Sequence, residues 1–235
     1  MTDKVPLALL PGLLCDAALW QPQVAALSDI ADCRVADLTT QDTIEAMAES
    51  VLAAMPERFA LAGLSMGGYV ALEVVARAPE RVTRLALLDT RAQADAPEES
   101  KRRRGLIELA EKGQFKGVTP RLLPLFIHEE RLGDPALTGT VTRMAQHVGK
   151  EAFIRQQRAI MGRRDQTAAL VKIHVPTLVL CGREDALTPL ADHKAMAAGI
   201  AGARLAVIED CGHLATLERP EAVNGELRRW LTAED

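Results

Sequence analysis

Apolar positions along this 235-residue chain follow two rhythms, and the two alternate. Short, nearly unbroken apolar runs occur at Phe59-Ala60-Leu61-Ala62, over Arg84 to Asp89, over Val175 to Cys181 and over Arg204 to Ile208, and each reads as a buried strand. Between them the spacing lengthens to three and four residues. Gly68 to Ala78 reads as a helix. Ile44, Met47, Val51, Leu52 and Met55 share one face of another, which Asp42-Thr-Ile-Glu45 opens as a capping box and Pro56 stops. A last helix opens at Pro220 and repeats Val223, Leu227, Trp230 and Leu231. Strand then helix, repeated, predicts an α/β fold: a doubly wound, mostly parallel sheet with helices on both faces and ligand-binding loops at the carboxyl ends of its strands.

The alternation breaks between Asp89 and the strand at Val175, a stretch far longer than one crossover needs. Helix signals fill it. Glu98 to Lys112 is charged, with an apolar stripe at Leu106, Ile107 and Leu109. Asp134-Pro135 opens a helix carrying Leu137, Val141, Met144 and Val148, which Gly149 closes, and Lys150 to Met161 follows with Phe153, Ile154, Ile160 and Met161. The expected organisation is one structural domain: an α/β core from residues 1–91 and 163–235, and a helical cap inserted over 92–162. Leu122-Leu-Pro-Leu-Phe-Ile127 is more apolar than a solvated connector, so it is expected to pack over the pocket, as cap core or as substrate contact.

Composition narrows the function classes. Hydrophobic residues make up 48% of the chain and aromatics only 3%, which suits a core of Leu, Val, Ile and Ala. A net charge of −4 provides no electrostatic footprint for nucleic acid or an anionic membrane. Lys101-Arg-Arg-Arg104 follows Glu98 and Glu99 and reads as a solvated helix face. No apolar run approaches the roughly 20 residues a membrane-spanning helix needs, and the stretch from Lys4 to Cys15 is broken by two prolines, so it is a poor signal peptide. A cytoplasmic location is expected. Cys15, Cys33, Cys181 and Cys211 lack C-x-x-C spacing and are expected as reduced thiols. Cys15 and Cys211 lie close in sequence to the candidate site, so a bulky thiol reagent is expected to inactivate in part.

The chemistry starts at Gly63-Leu-Ser65-Met-Gly67, which follows a strand and opens a helix. A serine on that turn sits in a strained backbone conformation while strand and helix crowd together two residues to either side, so Gly63 and Gly67 have a steric role. A neutral hydroxyl needs a base within hydrogen-bond reach, and the base needs a carboxylate to orient it. Asp185 lies just past the strand ending at Cys181, and His213 lies on the loop after the strand ending at Ile208. The order Ser65, Asp185, His213 matches one particular arrangement of such triads.

Four motifs therefore stand in order: Pro11-Gly12-Leu13-Leu14 with Trp20, Gly63 to Gly68, Gly182-Arg-Glu-Asp185, and Gly212-His213. Together they span nearly the whole chain, which resembles the α/β-hydrolase superfamily in its small bacterial serine esterase-like branch. The resemblance implies Ser65 as nucleophile, His213 as base and Asp185 as orienting acid. Backbone N–H groups of Leu13 and Met66 would form the oxyanion hole, and Leu14, Leu123, Phe126 and Leu214 are the candidate substrate contacts. It implies no cofactor. The chain departs from the family's common His-Gly at Pro11-Gly12, which removes a side chain near the oxyanion loop but no backbone donor.

Asp89 ends a strand at the same edge and is the rival for the acid role. His128, His147, His174 and His193 have no metal-ligand spacing, and no metal site is expected. The expected activity is hydrolysis of carboxylic esters of small molecules through an acyl-enzyme. The alternatives are a carbon–carbon bond, thioester or lactone hydrolase using the same triad, or a non-catalytic sensor of small molecules on the same fold. The expected partner is a small-molecule ester or related acyl compound; the natural substrate and the oligomeric state stay open.

Overall fold

In the computed structural model, which describes residues 4–233, six runs pair as one parallel sheet. Residues 1–3 and 234–235 of the expected core lie outside the described residues. The strands are β1 (Val5–Leu10), β2 (Ala31–Val35), β3 (Phe59–Leu64), β4 (Val82–Leu88), β5 (Thr177–Gly182) and β6 (Arg204–Ile208), in the order β2-β1-β3-β4-β5-β6. The helices are α1 (Gln21–Leu27), α2 (Ile44–Ala54), α3 (Met66–Arg77), α4 (Pro97–Leu109), α5 (Pro135–Gly162), α6 (Leu190–Gly199), α7 (Ala215–Glu218) and α8 (Pro220–Thr232). β3 and β5 are buried at every position, as expected of strands covered on both faces, and so they read as continuous apolar runs.

Alternation along β1 assigns the layers. Leu7 and Leu9 pack with Trp20, Leu27, Leu227 and Trp230, so α1 and α8 cover one face. Ala8 and Leu10 pack with Met47, Val51, Val70, Val74 and Met196, so α2, α3 and α6 cover the other. The sheet is thus doubly wound. Helix α2 corrects one sequence expectation: its N-cap is Thr43, whose Oγ1 accepts the Ala46 N–H at 3.1 Å, and not the Asp42 of the expected capping box.

The long segment between β4 and β5 carries α4 and α5 with short 3-10 turns between them. Asp134 caps α5, accepting from the N–H groups of Ala136 and Leu137, and Gly149 breaks it with φ 75°. Two helices joined at Gly149 is what the sequence pattern implies. The α4 stripe is corrected: Ile107 is buried, but Leu106 and Leu109 are exposed at 40% and 46%. Helix α4 also stops at Leu109, before a wide turn over Ala110–Gln114 in which Gly113 has φ 77°.

The chain leaves β1 toward β2 on one side and returns to β3 on the other, so the strand order switches between β1 and β3. Crevices at such switch points are where open α/β sheets bind ligands. The approach there is very close: a Cβ at Gly67 would lie 2.6 Å from the Leu10 carbonyl carbon and 2.9 Å from the Pro11 oxygen. Backbone atoms of a central strand cannot yield cheaply. Gly67→Ala is therefore expected to destabilise the fold by more than about 3 kcal/mol, seen as a lowered urea midpoint or loss of soluble protein. An unchanged midpoint would overturn the reading.

Candidate active site

The turn from β3 into α3 forces Ser65 to φ 55° and ψ −115°, a conformation that a non-glycine residue adopts only when its surroundings over-determine it. Those surroundings are visible. Ser65 N–H donates to the Leu88 carbonyl at 3.0 Å, and its own carbonyl accepts from Gly68 N–H at 2.9 Å and Thr90 Oγ1 at 2.7 Å. A Cβ at Gly63 would lie 2.7 Å from Gly68 N, so the steric role expected for this glycine is real. The turn projects Oγ over the carboxyl edge of the sheet.

Two neighbouring loops meet it. Asp185 follows β5 and His213 follows β6, and the loops are tied together by Arg183 N–H to Ile208 O (2.9 Å), Glu184 N–H to Cys211 O (3.0 Å) and Cys211 N–H to Glu184 Oε2 (3.0 Å). His213 Nε2 lies 2.9 Å from Ser65 Oγ, and His213 Nδ1 lies 2.9 Å from each Asp185 carboxylate oxygen. The three residues singled out in the sequence are brought together. An acceptor-only carboxylate assigns the imidazole proton to Nδ1 and leaves the Nε2 lone pair facing the hydroxyl.

The two buried acids at this edge diverge. Burial alone would raise the Asp185 carboxyl, but the His213 charge and hydrogen bonds from His213 and Thr188 outweigh it and hold the group below its ordinary range. Asp89 is pushed well above that range by burial and then by repulsion from Asp185. Asp89, the sequence's rival for the acid role, has oxygens that accept from Gly182 N–H (2.8 Å) and Ala215 N–H (3.4 Å), joining the end of β5 to the start of α7. Asp89, Asp185 and His193 bring ligand-type atoms within 4.8 Å of one another. Their atoms are already engaged: His193 Nε2 accepts the Thr90 N–H at 2.9 Å, and its Nδ1 lies 3.2 Å from the Pro189 carbonyl. The three residues serve hydrogen bonding.

The loop after β1 completes the site. A Cβ on Gly12 would lie 3.3 Å from Ser65 Cβ, so the loop rests on the serine. Leu14 N–H donates to Gln156 Oε1 at 3.1 Å, whereas the N–H groups of Leu13 and Met66 have no acceptor among the described residues. Met66 also opens α3, where the helix dipole favours negative charge. Leu14, Leu123 and Leu214 are buried in the apolar cluster on this side, and Phe126 packs against it with its ring 6.4 Å from the His213 ring. The Phe126 carbonyl accepts from both His213 N–H and Leu214 N–H at 3.1 Å.

Sequence reasoning missed a cavity of about 310 Å³ on the β2 side of this loop, bordered by Pro11, Cys15, Leu38, Thr39, Ala152 and Arg155. These residues come from separate elements and share no local motif. The two neighbouring thiols are buried: burial and Asp16 push Cys15 up to about 12, and burial and Asp89 raise Cys211, while Cys15 also borders this cavity. Burial and a raised pKa both slow the reaction of a thiol with a reagent.

Comparison with known proteins gives the family and the fold. The alpha/beta hydrolase family pattern matches residues 9–226, and the chain belongs to that family. It is 29% identical to the candidate carbamate hydrolase RutD of Agrobacterium fabrum, over 95% of this chain and 92% of that protein. A thermophilic esterase from Thermogutta terrifontis is 30% identical and superimposes with a TM-score of 0.87, covering 97% of this chain and 90% of the other. The enol-lactonase of Burkholderia xenovorans is 27% identical with a TM-score of 0.90, covering 98% and 92%. No described helix is long and apolar enough to cross a membrane.

Proposed function

We propose that this alpha/beta hydrolase cleaves carboxylic esters of small molecules through an acyl-enzyme on Ser65. The observation that carries the reading is the continuous line of 2.9 Å contacts from Ser65 Oγ through the His213 ring to Asp185. Ser65 Oγ attacks the acyl carbonyl as its proton passes to His213 Nε2, and Asp185 stabilises the imidazolium. The N–H groups of Leu13 and Met66 receive the oxyanion. The departing alcohol takes the proton from Nε2, and water then repeats the sequence on the acyl-serine, releasing the acid and restoring the hydroxyl.

In this reading residues 92–162 form a cap that excludes water, with Leu14, Leu123, Phe126 and Leu214 as the apolar wall nearest His213. The cavity beside the oxyanion loop has room for a small acyl or alcohol group. The likeness to an enol-lactonase favours lactones, which are internal esters, as a second substrate class. The test is turnover of p-nitrophenyl acetate, p-nitrophenyl butyrate and a series of simple lactones, with fluorophosphonate labelling mapped to Ser65. Saturable ligand binding with no turnover of any acyl compound would replace the hydrolase reading by a sensor.

A further inference from the structure

Leu14 has φ 60°, in the left-handed region that a leucine rarely adopts, one residue after the free Leu13 N–H. A residue there keeps that conformation only while its surroundings hold it. The hold comes from far away in the chain. Gln156, in the second half of α5, is 1% exposed, and its Oε1 accepts the Leu14 N–H at 3.1 Å while its Nε2 donates to the Leu38 carbonyl at 3.1 Å. Both ends of the side-chain amide are thus engaged, one by the loop after β1 and one by the chain after β2. Among the described residues, the local hydrogen bonds within residues 12–15 are the Cys15 N–H to Gly12 carbonyl bond at 3.1 Å and a long contact from the Cys15 thiol to the Leu13 carbonyl at 3.5 Å.

We infer that Gln156 is a positioning residue for catalysis: it locks Leu14 in the left-handed conformation and so aims the Leu13 N–H at the developing oxyanion. This rests on the hydrolase reading above. Without the Gln156 acceptor, Leu14 relaxes toward ordinary φ, and rotation of the 13–14 peptide unit turns the Leu13 segment away from the Ser65 acyl carbonyl. The Leu13 donor matters most when charge develops on that oxygen, so its loss weighs on the transition state more than on substrate binding. A segment outside the strand-end loops thereby sets the geometry of the hole.

The test compares Gln156→Met, which keeps length and removes both hydrogen bonds, with Gln156→Glu, which keeps an acceptor for Leu14. Gln156→Met is expected to lower kcat for p-nitrophenyl acetate about 10- to 100-fold, with KM changed less than about threefold. Gln156→Glu is expected to retain clearly more activity. Leu14→Gly placed in the Gln156→Met background is expected to recover part of the lost kcat, because glycine holds positive φ without an anchor. A merely structural role for Gln156 predicts no such recovery. A trifluoromethyl ketone, whose adduct carries an oxyanion, should lose affinity in step with kcat/KM. A folded Gln156→Met protein with kcat within about twofold of the parent overturns the assignment. Should Gln156→Met not fold, equal losses of kcat/KM and of product-acid affinity in Gln156→Glu overturn it instead. A parent protein that turns over no ester defeats the hydrolase reading, a result distinct from either.

Discussion

Ser65→Ala is expected to lower kcat for p-nitrophenyl esters by a factor on the order of 10⁶, because nucleophile, base and acid act as one unit and losing the first leaves nothing for the others to activate. The substitution removes a single oxygen whose partner is His213 Nε2. Everything that holds the strained turn is backbone or belongs to other residues: Ser65 N–H on Leu88 O, Gly68 N–H and Thr90 Oγ1 on Ser65 O, and the close approach of Gly63 to the first turn of α3. Thermal stability should therefore stay within about 1 kcal/mol of the parent while fluorophosphonate labelling vanishes. Turnover that survives the substitution would put the nucleophile elsewhere.

The residues that carry this prediction were legible because each sits beside a strong local signal. An unbroken apolar run followed by Gly-x-Ser-x-Gly can be little other than a fully buried strand entering a crowded turn, and the crowding at Gly63 and Gly67 is physical. Strand β6 was readable to the residue, since Arg204 and Ile208 bound a short β-branched and apolar run. The break at Gly149 was readable for the same reason: a glycine between two amphipathic faces is where a helix stops.

Other features left weak traces. Strand β2 is a five-residue edge strand in which Ala31, Cys33 and Val35 alternate with the exposed Asp32 and Arg34, but an alternation this short, with only alanine, cysteine and valine on its apolar side, is a weak signal. In α4 the leucines at 106 and 109 match a helical stripe, yet only Ile107 is buried, because a three-residue stripe does not fix which side of a charged helix meets its neighbours. Thr43 displaced Asp42 as the cap because either side chain suits that position and only tertiary placement selects one. Gln156 carries no sequence signal at all: its meaning depends on a leucine 142 residues earlier having a positive φ.

Asp185→Asn is expected to cost about 10⁴ in kcat, and Asp89→Asn less than about tenfold, although both carboxyl groups are buried at the same strand edge. The asymmetry follows from what each carboxyl group faces. Asp185 is held ionised by the His213 charge and by donors on both oxygens, and it fixes the Nδ1 proton. An asparagine there can present its NH₂ to Nδ1, which moves the imidazole proton to Nε2 and directs a donor at Ser65 where an acceptor is required. Asp89 is raised above the ordinary carboxyl range by burial and by Asp185, and its oxygens face the backbone N–H groups of Gly182 and Ala215, not the His213 ring. Asparagine keeps an acceptor for the Gly182 N–H and gives up only the long 3.4 Å contact with the Ala215 N–H. Measured kcat values for the two variants in the reverse order would transfer the acid role to Asp89 and require the His213 ring to turn away from the loop after β5.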